Sequence, residues 1–554
     1  MNARIGPTRR SLSFRGSPAT EESGRRARTG RIPRCARNDS KPGRDARHAF
    51  ILPIVLALIG LLAVTMAGFV FFVRAETAGA FAYADGQQAR LVAESGLEEV
   101  ISILRQDRDN SALWFDVPKR LRHALVWAES YDRDSDPLQE ESSRREMLAN
   151  GEAPVPAWRY SVVAQTFDGL PDVIRFGVTP ESGKLNLNTA TEEQITELLT
   201  PLLFGLGLDN SQELINALLD WRDEDDTLRD DGAESQDYYN LLEPAYSAKN
   251  GRFDTVEELL LVKGFSAAIL YGEDVNRNGV LDVNENDGDA TFPYYDNQDG
   301  ELNRGIAPFL TIWSREVDTA ADNKARINLN ADALTVGAQL EQYFQEGELS
   351  DATLEFLGSL KGGNFDFSQI GSPAELYQGT DEMAEGEEGG SGGTAPAELA
   401  DSPVTLEELP YIMDYFSTRS LEEAEEPIEG LININTAPMR VLVLIPGMTL
   451  EAAAAIVDTR QQADADSLRT TAWPLVLDAV DTATFQAIAP YITTRAYQFH
   501  VEVLGYADHL RISRRYEWVI EMVGPLAQIK YHRELTSLGP AWPVDDETRI
   551  AVTP

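Results

Sequence analysis

The sequence predicts an α+β fold: a long N-terminal helix packed on an antiparallel sheet, with a large, mostly α-helical domain inserted between the strands and containing helix-hairpin-helix-like units. Three observations predict it. The run Phe50 to Val73 carries no charge and continues, with no further proline, through Leu91, Leu97, Val100, Ile101 and Leu104 at i, i+3, i+4 spacing. Alternating β-rich segments occur early (Trp158 to Thr179) and again late (Tyr497 to Val523). The chain between them reads mostly as helix.

The first element is a helix over Phe50–Arg105, greasy in its first half and amphipathic in its second. Its uncharged part is 24 residues long, which at helical rise spans about 36 Å and exceeds a ~30 Å hydrocarbon core. The formal net charge of −42 is unevenly spread: residues 1–49 hold 13 Lys/Arg against 4 Asp/Glu, and the remainder holds 35 against 86. Positive charge on the N-terminal side predicts an N-in, C-out anchor with the acidic bulk outside the cytoplasm. The apolar run is too long for a cleaved secretory h-region. The leader Arg25 to Asp39 reads either as a disordered arm or as an over-extended start. The single cysteine, Cys35, lies in that leader, so the exported part has no disulfide. A strongly acidic exterior argues against nucleic-acid binding through a basic face.

Residues 106–155 read as loop plus short helix. Trp158 to Phe167 and Val173 to Thr179 read as a hairpin turning at Asp168-Gly169. Helical spacing marks Glu192 to Leu203, Gln212 to Arg222 and Val256 to Val262, and strands return at Tyr497 to Tyr506 and Arg511 to Val523. The expected organisation is a basic leader (1–49), the membrane and amphipathic helix (50–105), a region with the first strands (106–180), the inserted helical domain (181–490) and the C-terminal strands (491–554). Residues 379–402 are acidic and of low complexity and are expected to be a disordered loop. Their G-x-S-x-G at Gly389–Gly393 lacks the strand and helix that a nucleophile elbow needs. One phrase recurs three times: Lys184 to Ala190 (KLNLNTA), Arg326 to Ala331 (RINLNA) and Leu431 to Ala437 (LININTA). Each is followed by a helix, with Asn188 or Asn435 placed to cap it, which suggests repeated small helical units.

The sharpest chemical motif is Asp274 to Glu285 (DVNRNGVLDVNE), which fits the calcium-loop template D-x-[DN]-x-[DN]-G-x5-E. Asp274, Asn276 and Asn278 supply side-chain oxygens, Gly279 the sharp turn, Val280 its carbonyl, Asp282 the ninth position and Glu285 the bidentate twelfth. Calcium is the expected ion, in a structural rather than a sensor site. Asp287, Asp289, Asp296 and Asp299 are weaker candidates for a second ion. A separate acidic run, with Asp223, Asp225, Asp226, Asp230 and Glu234 as candidate ligands, reads either as a solvated face or as a loop organised by a cation. Leu444-Ile-Pro-Gly-Met448, followed by Ala452 to Arg460, is helix-hairpin-helix-like. It has few basic neighbours and reads as a structural module. No zinc spacing, phosphate loop or singled-out acid pair points to an enzyme.

Taken together, Ser182 to Ala190, Leu219 to Asp225, Gly232 to Glu234, Tyr238-Tyr239, Phe253 to Leu259 and Ile432 to Ala437 resemble the type II secretion minor pseudopilin K family (GspK). The resemblance covers most of 50–554. It implies a pilin-like fold, a place in the bacterial inner membrane with a periplasmic head, cleavage of the leader at Ala49–Phe50 by prepilin peptidase, and N-methylation. It also implies calcium in the head, and partners that include I-like and J-like minor pseudopilins and the major pseudopilin. Most pilins carry Glu at the fifth mature position. Here that position is Ile54, as K proteins lack the acid, which suits a subunit at a filament tip. The expected function is a non-enzymatic pseudopilus tip component in protein export. A type IV minor pilin, or a membrane-tethered helix-hairpin-helix DNA-uptake protein, is the alternative.

Overall fold

The computed structural model describes residues 51–128, 156–167, 174–205, 211–344, 348–363, 365–379, 396–508, 510 and 512–539. The leader, Ala49, Phe50, the Asp168-Gly169 turn and the G-x-S-x-G segment lie outside the described residues.

The chain divides into two units, one ending at Ala78 and one beginning at Gly79. The described part of the first is the apolar stretch of α1 (Ile51–Asp107). Its side chains from Leu52 onward are exposed, with Leu61, Val64, Met66 and Phe71 among the most open. Among the described residues this is one helix long and apolar enough to cross a membrane.

In the second unit α1 changes character. Ala89, Ala93, Leu97, Val100 and Leu104 recur at steps of three and four and are buried. They meet the inward face of an antiparallel sheet through Tyr160, Val162, Phe499, Val501, Val503 and Trp518. The principal strands are β1 (Ala124–Ala128), β2 (Ala157–Gln165), β5 (Gln498–Ala507), β6 (Ser513–Val523) and β7 (Leu526–Glu534), hydrogen-bonded in the order β1-β2-β5-β6-β7. Short β3 (Ile174–Arg175) pairs with β2, and β4 (Thr179–Pro180) with β5. The strand most central to the sheet thus comes from the far end of the chain. At Gly505, opposite Tyr160 and Arg514 in register, α1 comes so near that a Cβ would strike the carbonyl oxygen of Ala89 and lie 2.7 Å from the amide nitrogen of Ala93.

Four expectations for this part need correction. Ala124–Ala128, read as loop, is strand β1. The expected second arm of the early hairpin pairs with β2 over only two residues. Its continuation is captured by the segment after α1: the Val117 amide donates to the Phe176 carbonyl (2.7 Å) and the Val178 amide to the Trp114 carbonyl (3.0 Å). β7 was not expected at all. Val256–Leu261 is a 3₁₀ helix, not an α-helix.

The insertion has its own large core and is built three times over on one plan. In the first unit Leu185–Asn186 pairs in parallel with Leu310–Thr311. In the second Ile327–Asn328 pairs with Phe416–Ser417. In the third Ile432–Asn433 pairs with Ile492–Thr493. Each recurring phrase then turns on its first Asn, whose Oδ1 accepts from the amide two residues on: Asn188 on Asn186 (3.0 Å), Asn330 on Asn328 (2.8 Å), Asn435 on Asn433 (3.0 Å).

A helix pair follows each phrase: α2 (Glu192–Gly205) and α3 (Ser211–Arg222), α4 (Ala333–Tyr343) and α5 (Asp351–Gly362), α6 (Met439–Leu442) and α7 (Leu450–Gln462). A basic residue near the end of the second helix reaches back to the phrase. Arg222 Nη1 donates to the carbonyls of Leu187 (2.7 Å) and Ala190 (2.9 Å), and Arg460 Nη1 to those of Ile434 (2.8 Å) and Ala437 (2.7 Å). Lys361 Nζ, with one head, takes only Leu329 (2.6 Å).

The expected caps are corrected here. Neither Asn188 nor Asn435 caps a helix. Thr191 caps α2 in a reciprocal box with Gln194 (3.2 and 2.9 Å). The freed amides read distant backbone instead, as Asn435 Nδ2 does at the Leu468 carbonyl (2.9 Å). Within the segment expected to be disordered, Ala397–Leu399 forms a 3₁₀ turn with Leu399 fully buried, so that end is ordered by core packing.

Candidate metal centre

The calcium-template loop interrupts only the first repeat, entering after the short helix Ala267–Tyr271 and leaving before the 3₁₀ turn Ala307–Phe309. Its turn is made as the sequence requires. Gly279 stands at φ +70° and Arg277 at φ +55°, both in the left-handed region. Asp274 is 3% exposed and straddles the turn, with Oδ1 accepting from the Asn278 amide (2.9 Å) and Oδ2 from the Gly279 amide (2.9 Å).

Asn276 Oδ1 accepts from the Asn278 amide (3.0 Å) and Asn278 Oδ1 from the Val280 amide (2.6 Å). Both amide nitrogens donate to Asp282 Oδ2, at 2.7 and 2.9 Å. Glu285, 1% exposed, closes the ring: Oε1 accepts from the Val275 amide (3.1 Å) and Oε2 from the Asp282 amide (3.1 Å). The structure therefore links Asp274, Asn276, Asn278, Asp282 and Glu285 in one hydrogen-bond network within the loop. The side chains of Asp274, Asn276, Asn278, Asp282 and Glu285 each accept from the chain's own amide groups.

The electrostatics of this loop favour a cation. Burial, with the nearby Asp274 and Asp282 carboxylates adding to it, pushes the Glu285 carboxyl up to about 7. Burial also raises Asp274. A cation of charge two would supply what these groups lack, a counter-charge in a poorly solvated place. The donor set is all oxygen, which suits calcium over a transition metal. Among the described residues no three His, Cys, Asp or Glu side chains gather closely enough to hold a metal by themselves, those of this loop included.

Of the flanking candidates, the Asp289 side chain lies outside the described residues, and the others accept from nearby donors. Asp296 is occupied by the amides of Gln298 (2.8 Å) and Gly288 (2.6 Å), Asp299 by Glu301 (2.8 Å), and Asp287 by Thr291 (2.7 Å to the hydroxyl).

The second acidic run divides. Asp225, Asp226 and Asp230 are exposed; Asp225 accepts from the Thr227 amide (2.7 Å) and Asp226 from Asn250 Nδ2 (2.9 Å). Glu234 is different: it is 1% exposed, and neither carboxylate oxygen has a hydrogen-bond partner. Burial, then the charges of Asp220, Asp223 and Asp226, raise it to about 7. Asp223 and Asn250 each carry a buried side-chain oxygen without a hydrogen bond, as does Asp220.

Asp220 is fully buried. Its Oδ2 accepts from the Ala233 amide (2.8 Å), and its Oδ1 has only the Arg229 guanidinium at 3.4 Å. Gly232 leaves room for it, since a Cβ there would meet Asp220 Oδ2. Asp220 and Asn250 were not among the candidate ligands. The signal for Asp220 was its place between Leu219 and Trp221 on the buried face of α3, where an acid is out of pattern.

Residues 183–271, spanning the first repeat as far as the calcium-template loop, match the family described as type II secretion system (T2SS), protein K. Over that segment the chain is similar to the protein K family. The chain is also similar to a chain of the GspK-GspI-GspJ complex from the enterotoxigenic Escherichia coli type 2 secretion system, with 11% identity over 83% of this chain and 99% of that one, at a TM-score of 0.36. No curated protein matches the sequence. The matched segment contains Asp220, Asp223 and Glu234 together with Arg222 and Asn188.

Proposed function

We infer that this chain is a minor pseudopilin at the tip of a type II secretion pseudopilus, with an assembly role and no enzymatic one. The observation that carries the reading is the protein K match over 183–271, joined to a head built on the second half of an anchor-length helix. The helix holds the chain in the inner membrane with its N-terminus in the cytoplasm, after prepilin peptidase has cut between Ala49 and Phe50. With Ile54 in place of an acid, the subunit makes no carboxylate contact with a neighbour's N-terminal amine, which suits the end of a filament. I-like and J-like minor pseudopilins are its partners, and the major pseudopilin lies below.

Calcium belongs to this reading as a structural ion. Asp274, Asn276, Asn278, Val280, Asp282 and Glu285 would hold it; no second ion is assigned to the acidic run around Glu234. Bound, it supplies fixed positive charge to buried carboxylates. The chain's own amides pre-form this loop.

The turn Pro446–Thr449 between α6 and α7 serves packing rather than DNA. Thr449 Oγ1 caps α7 at the Ala452 amide (3.1 Å), and the nearby Arg460 Nη1 is bound to two carbonyls. The deciding experiment is co-purification of the full-length chain, in detergent, with I-like and J-like proteins of the same organism. A stable ternary complex supports the reading. Failure to associate, together with tight, salt-sensitive DNA binding, sinks it.

A further inference from the structure

We propose that Arg515 of β6 is a positioning residue for calcium, coupling occupancy of the loop 274–285 to the pilin-like sheet. The inference rests on reading that loop as a calcium site. Arg515 lies far from the loop in sequence, yet its side chain is 1% exposed and meets the loop with two of its nitrogens. Nη1 donates to the Asn276 carbonyl (2.7 Å) and Nη2 to the Arg277 carbonyl (2.6 Å), while Nε pairs with Glu502 on the neighbouring strand. Consecutive peptides at loop positions three and four are thus held by one planar group whose plane is fixed by the sheet.

The peptides held are those the loop finds hardest to place. Arg277 is left-handed without being glycine, and its carbonyl also faces Gln165 of β2 (Nε2, 3.5 Å). Arg304 adds a second strut, from the Thr166 carbonyl (2.8 Å) to that of Gly279 (3.3 Å). With the carbonyls of 276, 277 and 279 drawn to the sheet side, the side chains of Asn276 and Asn278 are left to meet Asp282. That is the ligand side of the template. Coupling between two equilibria is reciprocal: if Arg515 favours the closed loop, an ion in the loop favours the placed Arg515.

Charge and position predict opposite outcomes, which makes the proposal testable. Arg515 is a cation near a cation site, so by field alone Arg515→Gln would tighten calcium binding. As a positioning residue it does the reverse. Titration calorimetry of the full-length protein in detergent should show Arg515→Lys and Arg515→Gln both weakening calcium by about 10-fold or more, the range for lost outer-shell partners. Affinity within about twofold of the parent in Arg515→Lys, or tighter binding in Arg515→Gln, overturns the coupling.

Hydrogen exchange on the unmutated protein gives a test that needs no variant. Added calcium should protect the loop and also residues 513–517 of β6. Protection confined to the loop refutes the proposal. If Glu285→Gln binds calcium as the parent does, the calcium reading itself fails and the coupling falls with it. If Glu285→Gln loses binding and Arg515→Lys does not, only the coupling fails.

Discussion

Asn188 grips the backbone of Phe253 at two points: its Nδ2 donates to the carbonyl (3.1 Å) and its Oδ1 accepts from the amide (2.7 Å). A side-chain amide thereby stands in for a strand partner 65 residues away in sequence. Replacing it with Ala would leave two backbone groups unsatisfied, a loss of about 1–3 kcal/mol. Asn188→Ala should lower the denaturant midpoint of the full-length protein by a matching amount. A midpoint unchanged within error would mean that water replaces both bonds without cost.

The close approach at Gly505 predicts a steric result. Gly505→Ala places a methyl where the α1 backbone now runs, and overpacking of that kind costs about 1–3 kcal/mol. Gly505→Val should cost more and loosen the packing of Trp518 beneath the helix, read as lost near-UV dichroism. Near-native melting of the Val variant would contradict the contact.

Without calcium, stability should fall as pH rises. Glu285 and Glu234 are both raised to about 7, against an unfolded value of about 4.3. Between those limits the folded chain binds more protons than the unfolded one, so the slope of stability with pH is negative there. Melting in a chelator should therefore be lower at pH 8 than at pH 6. Millimolar calcium should weaken or reverse that trend, because the ion binds the deprotonated acids of the loop 274–285. The lowered carboxyls of Glu408, Glu517 and Glu521 act below this window, where their contribution is lost as pH falls. A chelated protein that melts higher at pH 8 would count against the buried acids.

The anchor can be tested at its centre. Leu62→Arg places a charge in the middle of the apolar stretch at a cost of about 2.5–3.5 kcal/mol for insertion. Alkaline carbonate should then extract the variant from membranes while leaving the parent behind. Equal retention would argue against a spanning role for this helix.

What was legible in the sequence was what repeats over many residues. α1, α2 and α3 announce themselves by spacing, and the loop 274–285 by a complete template. β1 escaped because ALVWA is short and does not alternate. β7 escaped because, at the sheet edge, LAQIKYHRE mixes polar and apolar side chains and is largely open to solvent. The three INLN-type phrases were legible as a repeat. Their partners at Leu310–Thr311, Phe416–Ser417 and Ile492–Thr493 were not, since two residues carry no period. The Asn caps were misread because local geometry allows a cap, and only the fold reveals that Phe253 and Leu468 arrive within reach. Asp220 shows the same limit from the other side: an acid on a buried helix face makes sense only once Gly232 is seen to make room for it.

The contact of α1 with β5 also has a mechanical meaning. Ala89 and Ala93 lie over Gly505, whereas Gly96 lies over Val503 and Tyr160, so helix and strand run in opposing directions along a shared line. With backbone against backbone, the helix cannot slip past the strand by a single residue. A tug along the helix enters β5 lengthwise, and β5 is hydrogen-bonded on both sides by β2 and β6. Such a load strains those bonds together, in shear, instead of unzipping them one after another.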